Sequence, residues 1–293
     1  MRIGAFEINE PPVKLKDPHA MVMLRPWVDV GSVGTLTLAR LETQFAAQEL
    51  GKLAQPGNFF DFTRYRPLTF YQEGRRRLNI PNSPIYYAKR KGQNDLIFLH
   101  LLEPHSHGEE YAESVISVLK EFNVQRYCLL GSMYDMVPHT RPLPVTGGGV
   151  GKKLEPALKR AGIEQGRYEG PTTIMSIVPL RASEMAIETL SLIVHLPQYT
   201  ETEEDHIGAV RLMQVLSLLY DVAVDENDVR KAEQERKQID AIVNRSNQLK
   251  QALAQLEASY DTRLAKEEQK KTPELSPEVE KFLKEMDKRF RQS

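Results

Sequence analysis

The sequence predicts an α/β fold, a three-layer sandwich with a mainly parallel sheet, extended at its C-terminus by a helical, coiled-coil-like tail. Three observations carry that prediction. Short apolar runs alternate with stretches of helical periodicity through residues 1–225, the pattern left by strands buried on both faces under connecting helices. From Asp225 onward 15 Lys/Arg and 15 Asp/Glu fall among 69 residues, about twice the charge density of the preceding chain. Within that charged segment Ile239, Ile242, Ser246, Leu249, Leu253, Leu256 and Tyr260 follow alternating steps of three and four, a heptad seam with Ser246 as its weak position. The expected division is an α/β domain over 1–225 and a charged helical tail over 226–293.

The elements follow in chain order. Residues 20–24 are a continuous apolar run and read as a buried strand. Over 32–53 the spacing of Leu36, Leu38, Leu41, Phe45, Ala46 and Leu50 fits one amphipathic helix, capped by Ser32. Residues 68–71 and 85–88 read as strands, and 95–102 as a strongly buried one stopped by Glu103-Pro104. A helix is expected over 109–122, with Tyr111, Ala112, Val115, Ile116 and Leu119 on one face, then a strand over 126–131. The glycines of 147–151 read as a flexible linker, followed by a short helix over 153–161. Residues 172–178 and 189–195 read as strands with a helix over 182–188 between them, and 203–220 as an amphipathic helix. After the seam, Lys270-Lys271-Thr272-Pro273 breaks the tail. Ser276 and Pro277 then have the form of a new helix start, with Phe282, Leu283, Met286 and Phe290 as its apolar face.

The 293 residues are 41% hydrophobic, enough for a sizeable core, and carry a formal net charge of -1. That balance excludes a general binder of nucleic acid or anionic membrane, which needs a basic surplus. One cysteine excludes an internal disulfide framework. No apolar stretch approaches the length of a transmembrane helix, and the N-terminal residues lack the apolar core of a signal peptide. The expected location is the cytoplasm.

Candidate chemistry is sparse. His105-Ser106-His107 stands beside Glu103, Glu109 and Glu110, but neighbouring histidines two apart in a loop point different ways, and a solvated loop with a helix cap is preferred to a metal site. Gly147 to Lys153 departs from the phosphate-binding loop, which needs Gly at the position of Thr146 and Ser or Thr at that of Lys153. Cys128 lies inside an apolar strand and reads as a core residue. Arg75-Arg76-Arg77 reads as a solvated loop or a subunit contact. No cofactor is implied. The most unusual element is Pro138-His139-Thr140-Arg141-Pro142. Prolines at both ends stiffen it, His139 can move protons near neutral pH and Arg141 can fork onto an anion. One reading is an anion or substrate site. The preferred one is a structural hub in which Arg141 pairs with Asp29 or Glu103.

Several motifs in a fixed order point to a known family. They are Trp27-Val28-Asp29-Val30-Gly31, Phe60-Asp61-Phe62 followed by Arg66-Pro67, Glu103-Pro104, Leu129-Leu130-Gly131, His139-Thr140-Arg141-Pro142, Tyr168-Glu169-Gly170-Pro171, and Val194 to Tyr199 with Pro197. Over about residues 15 to 225 the body resembles the proteasome assembly chaperone 2 family. The resemblance implies an α/β sandwich with a phosphorylase/hydrolase-like core, and a role in proteasome assembly or ATP-independent chaperoning. It also implies homo-oligomers, trimers among them. Two departures stand out. Bacterial relatives often have Asn-Asp-Ala-Gly where Val28 to Gly31 stand, and a second Gly where Thr173 stands. The chain ends Phe290-Arg291-Gln292-Ser293, without the hydrophobic-Tyr-x ending by which archaeal members dock on the proteasome ring.

Together these readings predict a non-enzymatic, self-associating chaperone-like or scaffold protein that acts on a protein client, with a homo-trimer as the first expected assembly. The alternative is an enzyme of phosphorylase or hydrolase type using a rim around Asp29, Glu103, His139 and Arg141. The tail seam is expected to pair with another copy or to lie on the body, and removal of 226–293 is expected to leave a folded body with altered assembly.

Overall fold

A computed structural model describes residues 1–151, 154–166 and 168–271 of the chain. The chain opens with a small hairpin, β1 (Arg2–Ile3) and β2 (Phe6–Ile8), then β3 (His19–Arg25), α1 (Val33–Gln44) and β4 (Gln48–Leu53). A second hairpin, β5 (Leu68–Gln72) and β6 (Arg75–Asn79), precedes β7 (Ile85–Ala88), β8 (Leu96–Leu102), α2 (Gly108–Glu121) and β9 (Arg126–Asp135). Next come β10 (Val145–Val150), α3 (Leu154–Arg160), β11 (Glu164–Gln165), α4 (Ile174–Glu184) and β12 (Glu188–Pro197). Three helices end the described chain: α5 (His206–Tyr220), α6 (Glu226–Asn244) and α7 (Asn247–Lys271).

Ten strands form one sheet in the order β1-β2-β4-β7-β8-β3-β9-β12-β10-β11. The expected parallel sheet is its centre, where β8, β3, β9 and β12 run parallel. Both flanks are antiparallel: β7, β4, β2 and β1 on one side, β10 against β12 on the other. The central strands are buried on both faces, so their side chains alternate between two cores. Ala20, Val22 and Leu24 of β3 join Ile97, Leu99, Tyr127 and Leu129 under α2 and α4. Met21 and Met23 join Phe98, Cys128, Leu130 and Leu192 under α1 and α5.

Three local expectations are overturned. The helix expected over 32–53 stops at Gln44, because Ala46 takes a left-handed conformation (φ 48°) and turns the chain into β4. Ser32 is itself left-handed and its side chain caps nothing. Residues 147–150 are not a linker but most of β10. A Cβ on Gly147 would stand 2.2 Å from the Ser191 carbonyl, and one on Gly149 2.6 Å from that of Thr189, so the glycines let β10 lie close on β12. Residues 174–178, expected as strand, begin α4, where Val178 and Ala182 are fully buried.

The described part of the tail, α6 and α7, lies against its own body. Asp225 caps α6 by accepting from Asn227 N–H at 2.7 Å. The buried face of α6 is Ala232, Glu235, Ile239 and Val243, and its apolar members join the α5 core. The single seam is therefore divided. Ile239 and Tyr260 are 6% and 7% exposed, but Ile242 is 59% exposed and Val243 takes the inward place. The helix breaks at Arg245, and the Ser246 hydroxyl accepts from Leu249 N–H at 3.2 Å, so the weak position of the seam starts α7. Leu249 and Leu253 are half-buried against the same core, and Leu256 is half-buried as well. The helix start expected at Ser276 lies outside the described residues.

Candidate functional site

The motif residues follow the C-terminal ends of the central strands, where sheets of this kind present their loops, and the structure gathers them in three places. The first is the start of α1. Asp29, which follows β3, is buried. Its Oδ1 accepts from Gly34 N–H at 2.7 Å and Thr35 N–H at 3.2 Å, and its Oδ2 from the Thr35 hydroxyl at 2.5 Å. A carboxylate there satisfies donors that the helix leaves unpaired. Gly31 has φ 57°, and a Cβ on it would stand 2.7 Å from Cβ of Asp205. Gly131 of β9 has the Val28 carbonyl 2.3 Å from its Cβ position, and Ser132 N–H donates to that carbonyl at 2.9 Å. The glycine thus lets the segment after β3 run alongside β9. Trp27 stays 47% exposed.

The second place is the end of β8. The half-buried Glu103 carboxyl is hydrogen-bonded by the Thr173 side chain and Ile174 N–H at the start of α4, while burial pushes its pKa up. Tyr65 O–H donates to the Glu103 carbonyl at 3.1 Å, Pro104 is half-buried and His105 Nδ1 accepts from Asp61 N–H at 3.1 Å. Gly170 and Pro171 lead into α4, with the Pro171 carbonyl accepting from Tyr168 O–H at 2.9 Å. Arg66 is exposed and Pro67 half-buried, at the foot of the second hairpin. Arg66 lines a cleft of about 580 Å³ with Arg25, Ile80, Tyr86 and His100.

The third place is the Pro138–Pro142 turn, which receives the tail. His139 is fully buried. The Tyr199 hydroxyl accepts from His139 N–H at 2.8 Å and meets its Nδ1 at 2.6 Å. A carboxylate oxygen only accepts, so Asp240 Oδ1 of α6 takes the proton of Nε2 at 3.0 Å, and in the neutral ring Nδ1 then accepts from the Tyr199 O–H. Arg236 of α6 donates to the His139 carbonyl. From α7, Glu257 accepts from the Thr140 hydroxyl at 2.5 Å and from Arg141 Nη1 at 3.2 Å. Asp261 takes Arg141 Nε and Nη2 at 3.0 and 2.9 Å. Tyr260 O–H donates to the Pro142 carbonyl at 2.7 Å. The turn is a hub, but Arg141 pairs with the tail acids Glu257 and Asp261 rather than with Asp29 or Glu103. Between the turn, α5 and α6 is a cleft of about 410 Å³ lined by Leu143, Ile207, Arg211, Val229 and Glu233.

Two clusters escaped the sequence reading. Glu235 of α6 accepts from His206 N–H at 2.8 Å beside Asp205, the cap of α5. Burial and the neighbouring Asp205 charge push its carboxyl up to about 7, and burial raises Asp205 as well. No local pattern marks this pair, because 29 residues separate Glu235 from its backbone partner. The second cluster is a chain from Asp135 Oδ2 to His195 Nδ1 and from His195 Nε2 to the Thr146 hydroxyl, each step 2.8 Å. It ties the ends of β9, β12 and β10 together. The strand alternation was the available signal, since it places His195 on the side of β12 away from Val194 and Leu196 in the core.

Comparison with solved structures finds the same fold in proteins of low sequence identity. A Corynebacterium glutamicum protein of unknown function is 18% identical, with a TM-score of 0.78 over 89% of this chain and 98% of its own. A PAC2 family protein from Streptomyces avermitilis is 22% identical, with a TM-score of 0.71 over 81% and 100%. A Mycobacterium tuberculosis proteasome-assembly chaperone homologue is 21% identical, with a TM-score of 0.70 over 80% and 99%. No curated protein matches the chain. The PAC2 family model matches residues 23–244, which run from β3 to the end of α6 and include all three clusters of motif residues. That match spans well over half of the chain, and the chain belongs to the PAC2 family.

Proposed function

We propose that the protein is a non-enzymatic, self-associating chaperone-like or scaffold protein that acts by protein–protein contact in the cytoplasm, with a trimer as the first assembly to test. The observation that carries this reading is the use made of the most reactive motif. Both ring nitrogens of His139 are engaged, and both sides of the Arg141 fork hold the tail. These residues serve to seat α6 and α7, which weakens the alternative of an enzyme with Arg141 as its anion clamp. The M. tuberculosis homologue of a proteasome-assembly chaperone supports a chaperone-like role. The phosphorylase/hydrolase-like core stands as part of the same family expectation.

The test combines three measurements on the full chain. Light scattering coupled to gel filtration is expected to give a mass above that of the monomer. Heat-induced aggregation of a model client such as citrate synthase is expected to slow without ATP. Phosphate or nucleosides are expected to leave the melting temperature unchanged. A monomer that neither assembles nor protects the client would sink the reading. A phosphate- or nucleoside-dependent thermal shift that Arg141→Ala abolishes while the fold persists would favour the enzyme.

A further inference from the structure

The second hairpin belongs to no core. Among the described residues β5 and β6 pair only with each other, and all ten of their residues are exposed. Their turn is sound: Glu73 and Gly74 both have positive φ (50° and 73°), the conformation that suits a tight two-residue hairpin. Yet a lone two-stranded ribbon is marginal in water, and this one displays Leu68, Phe70, Tyr71 and Leu78 at 64, 44, 75 and 58% exposure. Leu68 and Phe70 stand on one face of the ribbon and Tyr71 and Leu78 on the other, and large apolar side chains exposed on a free ribbon mark a contact surface. Arg75, Arg76 and Arg77 add three positive charges to the strand β6.

A surface of matching character lies on the same chain. Trp27, Met133 and Met136, 47, 37 and 67% exposed, lie on the segments that follow and end β3 and β9, which are joined where Ser132 N–H donates to the Val28 carbonyl. Beside them runs the loop of residues 198–205, pinned by Gln198 N–H to the Asp135 carbonyl at 3.2 Å and by Asp205 N–H to the Gly31 carbonyl at 2.8 Å. It carries the exposed acids Glu201, Glu203 and Glu204. One surface is apolar with a basic strand, the other apolar with an acidic border.

Resting on the self-association proposed above, we infer that the β5–β6 hairpin of one copy docks on the Trp27–Met133–Met136 rim of a second copy, with Arg75, Arg76 and Arg77 against Glu201, Glu203 and Glu204. The charge complementarity within one sequence selects a second copy as the occupant. The two surfaces differ, so the contact is head-to-tail, and repetition of it closes a ring when the rotation allows.

The experiment is a charge reversal followed by its compensation, read as solution mass by light scattering, with circular dichroism to confirm folding. The exposed positions make unfolding of the variants a minor concern. R75E/R76E/R77E and, separately, E201K/E203K/E204K are expected to reduce the assembly to monomer. The chain carrying all six changes is expected to regain the native mass. If the wild type assembles but either triple variant keeps the full mass, the docking is wrong and self-association stands on another surface. If both triples dissociate and the six-fold variant does not reassemble, the two surfaces do not meet each other. A monomeric wild type removes the reading on which the inference rests.

Discussion

His139 shows how a short motif acts through residues far away in sequence. Its prolines and its reactive types made it prominent, and a hub was the preferred reading, but its partners lie 60, 97 and 101 residues away on β12–α5 and α6. Nothing local could name them. Truncation of a fully buried side chain that holds two polar partners removes packing and leaves Tyr199 and Asp240 without their ring contacts. His139→Ala is therefore expected to lower stability by about 2–3 kcal/mol, as read by chemical denaturation, with a smaller loss for Arg141→Ala because that pairing faces solvent. A loss below measurement for His139→Ala would mean that the tail is held elsewhere. Glu235 gives a second expectation at this scale. It faces Asp205 and the His206 and Ile207 N–H groups at the start of α5. In the folded chain its carboxyl titrates at about 7, against 4.5 as the ordinary value. The folded form thus holds a proton between pH 4.5 and about 7 that the unfolded form has released, so this group makes stability fall as pH rises through that window and level off above it. Glu235→Gln is expected to flatten the decline, as seen in melting temperatures of the two proteins across the window. Equal slopes would mean that the carboxyl is not raised.

At the scale of elements, apolar patterning read well for strands buried on both faces and for helices with one apolar face. The strands β3, β8 and β12 and the helices α2 and α5 lie close to where their apolar spacing placed them. It failed where two elements follow each other without a break in apolar spacing. Leu50 continued the helical pattern of α1, yet belongs to β4. Glycine misled too, since at 147 and 149 it marks close strand approach rather than freedom. The tail shows the same limit. An alternating three-four seam cannot distinguish a partner helix from the protein's own body, and the docking face of α6 follows Ala232, Ile239 and Val243, so that Ile242 turns outward. Removal of 226–293 is therefore expected to uncover part of the α5 core. Losing the apolar burial that Ile239 and Val243 make against the α5 core alone forfeits about 4 kcal/mol. At about 2–4 °C per kcal/mol for a body of this size, the melting temperature should fall by roughly 10 °C. Increased binding of an apolar dye such as ANS is the companion readout. An unchanged melting temperature with no dye binding would show that the tail does not lean on the body in solution.

Over the whole molecule, the division between centre and flanks sets an expected hierarchy of motion. The parallel centre was legible because strands buried on both faces are continuously apolar. Of the antiparallel flanks β7 was legible at 85–88, but β1, β2 and β11 are two or three residues long, β4 is mostly polar and the glycines of β10 read as a linker. The same contrast governs opening. β3, β8, β9 and β12 each have strand neighbours on both sides and helices above and below, so their amides exchange only through near-global unfolding. β1 and β11 are edges of the sheet, and every residue of the β5–β6 ribbon is exposed among the described residues. Native-state hydrogen exchange should therefore rank the central strands slowest, β10 and β4 next, and the two edges fastest. If the ribbon docks on a second copy as proposed, its cross-strand amides are expected to exchange about as fast as the sheet edges at high dilution and to slow severalfold as concentration rises. Protection of the ribbon that does not change with concentration would mean that the body itself covers it, and fast exchange at every concentration would mean that no copy does.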